Sequence, residues 1–67
     1  MVDESAHLAQ VDRHIAETKE HIRKQERLIE RLWAGGHNLV EAKNFLSILN
    51  GTLETLRQQR LLIVDRL

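Results

Sequence analysis

Apolar residues recur through the first half of this chain in alternating steps of three and four. Leu8, Val11, Ile15, Ile22, Ile29 and Leu32 keep that rhythm, and Thr18 and Gln25 occupy two of its positions. The second half repeats it through Leu39, Ala42, Leu46, Leu49, Leu53, Leu56, Ile63 and Leu67, with Arg60 as the charged member of the series. Such spacing returns side chains to one side of an α-helix and builds a heptad seam; the strict alternation of a strand is absent. The pattern predicts an all-α chain with helices near 4–34 and 39–66. At ~1.5 Å rise per residue each helix is about 40–47 Å long.

A single break separates the halves, at Gly35-Gly36-His37-Asn38. Either glycine can take the left-handed conformation that closes a helix. Asn38 is a good N-cap for the second helix, and Glu41 three residues on completes a capping-box pattern. Asp3 or Ser5 can cap the first helix, with Asp3 and Glu4 well placed near the positive end of its dipole. No proline interrupts either segment. So short a connection makes the helices antiparallel neighbours, and facing residue numbers then sum to about 72. Leu32 falls near Leu39, Ile22 near Leu49, Ile15 near Leu56 and Leu8 near Ile63. Arg60 falls beside Val11 and Asp12, which predicts an Arg60–Asp12 ion pair at the seam's edge.

Three positions depart from the plain pattern. Gly51, after Asn50, sits mid-helix at a cost of about 1 kcal/mol relative to alanine. Its heptad slot is on the outer face; a kink or split at 50–52, or close approach by a neighbouring helix, are the alternatives. Thr18 and Gln25 either set register from inside the seam or face its solvent edge.

A two-helix seam uses a narrow stripe, and this chain carries apolar residues well beyond it. Leu28 and Trp33 flank the first seam; Phe45, Ile48 and Val40 flank the second; Leu61, Leu62 and Val64 surround Ile63. Chains this short also bury a modest share of their surface. The sequence therefore predicts a single hairpin domain over 1–67 that dimerises into an antiparallel four-helix bundle. A tetramer, or another protein's helix as partner, is the alternative. Leu28, Trp33, Phe45, Ile48, Leu61, Leu62 and Val64 are the candidate interface residues.

Charge and composition narrow the function classes. Ten basic and ten acidic residues cancel, and the halves before and after Ala34 carry −1 and +1. That balance argues against nucleic acid as a partner. Arg23, Arg27 and Arg31 do share a helical face that would suit a phosphate backbone, but Glu20, Glu26 and Glu30 interleave with it, as on a salt-bridged solvent face. There is no cysteine, which excludes disulfides and thiolate metal sites. The longest unbroken apolar run, Leu61 to Val64, is far too short for a bilayer, and the acidic start does not resemble a signal peptide. A cytoplasmic protein with no membrane contact is expected.

His7, His14 and His21 recur every seven residues, one place before Leu8, Ile15 and Ile22. Seven residues are about 10.5 Å apart along a helix, too far for one metal, whose ligands lie near ~2.1 Å. A pH-sensing stripe is the less demanding reading, and solvated flank residues the plainest. His37 belongs to the turn. Phosphate loop, nucleophile elbow and paired His-Glu metal motif are all absent, and Ser5 and Ser47 lack a base beside them. The expectation is a protein that is not an enzyme and takes no cofactor. The leading reading is a small homo-oligomeric interaction module of adaptor or regulator type; RNA binding by the arginine face and metal or pH sensing by the histidine stripe are the alternatives.

The run His7-Leu8, Arg13-His14-Ile15-Ala16-Glu17, His21-Ile22, Gln25, Ile29 and Leu32, then Gly36-His37, Glu41-Ala42, Leu46, Thr52-Leu53 and Arg60, resembles a set of short, uncharacterised alpha-proteobacterial proteins of rhizobial type. The resemblance covers nearly the whole chain. It implies a bacterial cytoplasmic helical hairpin and brings no activity with it. The chain departs from that pattern at Asn50-Gly51, where helix-favouring residues are expected.

Overall fold

The computed structural model of the protein describes residues 3–67. They form two α-helices, α1 (Glu4–Ala34) and α2 (Val40–Arg66), packed side by side as an antiparallel hairpin. No strand occurs among the described residues.

Helix α1 starts where a carboxylate meets free backbone N–H groups. Asp3 is its N-cap, and Asp3 Oδ1 accepts from the amides of Ser5 (3.0 Å) and Ala6 (3.3 Å). Glu4 follows in the first turn and Arg31 lies in the last, each suited to the local end of the dipole. The other end closes in a Schellman motif. The Gly36 amide donates to the Trp33 carbonyl (3.1 Å) and the His37 amide to the Leu32 carbonyl (2.9 Å). Of the two glycines it is Gly36 that goes left-handed, at φ +74°; Gly35 stays right-handed, at φ −85°.

Helix α2 begins one residue later than expected. Leu39 bounds it with a near-helical backbone (φ −101°, ψ −3°). Asn38 still caps: its Oδ1 accepts from the Val40 amide at 2.9 Å. The return bond from Glu41, the other half of a capping box, is missing among the described residues. Beyond this start α2 runs unbroken through Asn50-Gly51, so no split occurs there. Gly51 is exposed, and a Cβ built on it would meet nothing within 4 Å, as its outer-face slot requires.

The seam is built from the periodic residues. Val11, Leu49, Leu53 and Ile63 are buried, and Leu8, Ile15, Ile22, Ile29, Leu32, Leu39, Ala42, Leu46 and Leu56 are half-buried. Both polar seam residues point inward. Thr18 is buried, and half-buried Gln25 donates from Nε2 to the Ala42 carbonyl (3.0 Å), tying α1 to the first turn of α2. Arg60 Nε donates to Asp12 Oδ1 at 2.7 Å, the expected cross-helix pair. Facing pairs therefore keep the register read from the turn.

Candidate interaction surface

The hairpin has little interior. It measures 53 × 15 × 14 Å, and no large side chain among the described residues is completely enclosed. Among the described residues four apolar side chains are buried, whereas eight large ones stay exposed: Trp33, Val40, Phe45, Ile48, Leu61, Leu62, Val64 and Leu67. Scattered singly, such residues are ordinary on a protein surface; those that share one face are the informative ones.

Antiparallel pairing gives the hairpin two flanks of different chemistry. On one flank lie the Asp12–Arg60 pair and, toward the turn, a hollow in which Trp33 stands beside Ile29, Leu39 and Lys43. Lys19, Glu26 and Arg57 fall on this same flank by heptad position, so it is charged along its length. On the opposite flank Leu28 and Phe45 line a shared concavity with Gln25, Leu32 and Ala42. His21, His14 and His7 continue from Leu28 at seven-residue intervals along this second flank, all exposed. Leu28 is itself half-buried in that concavity, so it is the most covered of the candidate interface residues.

The other candidates do not form one patch. Phe45, Ile48 and Leu62 lie on the histidine flank, Val64 on the charged one, and Leu61 on the back of α2, while Trp33 projects near the turn at 73% exposure. Sequence reading by apolar residues alone missed what joins three of them. Phe45, Ile48, Thr52, Thr55, Gln59 and Leu62 recur in steps of three and four, a second stripe roughly 110° around α2 from the seam. All six are exposed and none is charged. The signal was present once the seam residues are set aside and the remaining positions are searched for missing charge.

Of the three candidate nucleic-acid arginines, two are engaged. Glu20 accepts from Arg23 at 2.6 and 3.0 Å, and Arg27 Nη2 lies 3.7 Å from its other oxygen. The hydrogen bond from Arg23, and then its charge, hold the Glu20 carboxyl below its ordinary range. Arg31 forms no ion pair among the described residues. His7 Nδ1 lies 3.8 Å from Glu4 Oε2, an oxygen that is itself shielded from solvent and without a hydrogen bond. Among the described residues no three His, Asp or Glu side chains converge as a metal site would require, and no helix is long and apolar enough to cross a membrane.

The flanks thus differ in chemistry: apolar, hydroxyl and imidazole groups line one side, and the Asp12–Arg60 pair with further charged residues lines the other. No family model, no curated protein and no solved structure matches this chain.

Proposed function

We propose that this chain is a small homo-oligomeric interaction module, a hairpin that pairs with a second hairpin as a four-helix bundle and acts as an adaptor or regulator through helix packing. One observation carries the reading. The hairpin exposes 5208 Å², against about 4,400 Å² for a compact monomer of the same mass. The excess, about 800 Å², matches the area that each partner of a standard interface buries. Exposed Ile48 and Leu62, at 63% and 60%, supply apolar groups for it. The arginine face supports nucleic-acid binding less well, since Arg23 and Arg27 already spend their charge on Glu20.

Sedimentation equilibrium at micromolar concentration tests the reading. The expected result is a species of twice the 7.8 kDa chain mass, with a melting temperature that rises with concentration. A concentration-independent monomer that melts cooperatively and takes up no surface-binding dye overturns it.

A further inference from the structure

We propose that α2 docks antiparallel on α2 of a second copy of this chain, with the two-fold axis passing between Thr52 and Thr55. The inference rests on the homo-oligomeric reading above and gives it a face and a register.

The exposed stripe of α2 is self-complementary when reversed. It begins at Glu41 in the first turn and ends at Arg66 in the last. Between them lie Phe45, Ile48, Thr52, Thr55, Gln59 and Leu62, all exposed. A two-fold axis midway along the stripe sets Glu41 against the copy's Arg66, Phe45 against its Leu62, Ile48 against its Gln59 and Thr52 against its Thr55. Acid meets base at both ends, the large apolar groups meet inside them, and two small hydroxyl residues meet at the centre. An isologous contact demands this property, because each residue must suit the partner that its own mirror position presents. Neither Glu41 nor Arg66 has an ion-pair partner within the hairpin among the described residues, so both are open to one outside. A parallel arrangement would set Glu41 against Glu41 and Arg66 against Arg66.

The opposite flank offers no equivalent. There Asp12 and Arg60 are already paired, and Val64 and Trp33 lie at opposite ends with charged residues between them. Docking through the stripe also covers Phe45, Ile48 and Leu62 together, three of the exposed apolar groups that the hairpin leaves without a partner.

Mixed charge reversal tests the register separately from dimerisation. Glu41→Arg chains pair base with base in their homodimers, and Arg66→Glu chains pair acid with acid. A heterodimer of the two has opposite charges at both ends. Each chain's own helix-dipole penalty is the same in either dimer and cancels. Mixing the two variants should give about nine-tenths heterodimer, against roughly one half for random pairing. In addition, the chain has no native cysteine, so an Ile48→Cys/Gln59→Cys variant should oxidise to a covalent dimer. The two new thiols are about 16 Å apart on one helix and cannot bridge within a chain. Random pairing together with no covalent dimer, from a wild-type chain that sediments as a dimer, overturns the register and leaves the oligomeric reading standing. A wild-type monomer overturns both.

Discussion

Two glycines in this chain face opposite conformational demands, and that difference predicts opposite signs on substitution. Gly36 holds φ +74° so that its own amide and that of His37 can reach the last carbonyls of α1. Any side chain there is strained although the space is open. Gly36→Ala should therefore destabilise the fold by about 1 kcal/mol. Gly51 is an ordinary helical residue with open space around it. Gly51→Ala should stabilise by about 0.5–1 kcal/mol, mainly by removing freedom from the unfolded chain. Urea denaturation of both variants checks the pair; a loss at Gly51 would mean that something outside the hairpin approaches its backbone. Gly35 is intermediate in kind. A Cβ there meets the His37 ring at 2.8 Å, which is the movable end of a side chain, so a small cost is expected. The sequence could say that one of the two turn glycines is left-handed but not which, because both sit at the junction and the choice depends on where the last α1 carbonyls find donors.

At the level of elements, the two helices are held by a thin seam, crossed among the described residues by one charged and one neutral polar tie. The Arg60–Asp12 contact is short, but both side chains are close to half exposed, at 44% and 47%. Solvent screening limits its coupling to about 0.5 kcal/mol, falling with salt. A double-mutant cycle with Asp12→Ala and Arg60→Ala, run at low and high ionic strength, should show that coupling and its decline; zero coupling at low salt would mean that the pair adds nothing to register. This contact was legible from the chain alone because it needs only the turn position and a constant register. The seam was legible for a similar reason: every seam residue recurs at helical spacing, and even Thr18 and Gln25 announce themselves by interrupting it. What those two do was not legible. Gln25 bonds the Ala42 carbonyl, and a backbone acceptor carries no mark in a side-chain sequence. The second stripe on α2 stayed hidden for another reason. Half of it is threonine and glutamine, so a search for apolar residues sees three isolated members, and the face emerges only when seam and flank are separated in space.

For the whole molecule, an elongated hairpin with a 15.6 Å radius of gyration, against about 11 Å for a compact chain of this length, has long flanks and almost no depth. Whatever covers one flank along its length governs the histidines that border it. In the two-fold arrangement proposed for α2, α1 lies antiparallel to its own copy. His7 then comes level with the copy's Glu30, His14 with its Arg23 and His21 with its Ala16. Within the hairpin, Glu4 Oε2 is 3.8 Å from His7 Nδ1. That neighbour is present in the monomer as well, so it largely drops out of the monomer–dimer difference. One of the three histidine levels meets a new acid on assembly, one a new base and one neither. The new charges offset, so the register gives the stripe no net direction in which to push assembly. Dimerisation should therefore change by less than about three-fold between about pH 7.5 and about pH 5.5. Glu20 does not confuse the measurement. Its carboxyl is held below the ordinary range, so the stabilisation it gives is complete above that range and is lost only as pH falls through its lowered value, below the histidine window. Sedimentation across the interval reads the effect directly. A dissociation constant that rises more than about ten-fold toward pH 5.5 would mean that the histidines meet bases in the dimer, and would overturn the register that sets His7 level with Glu30.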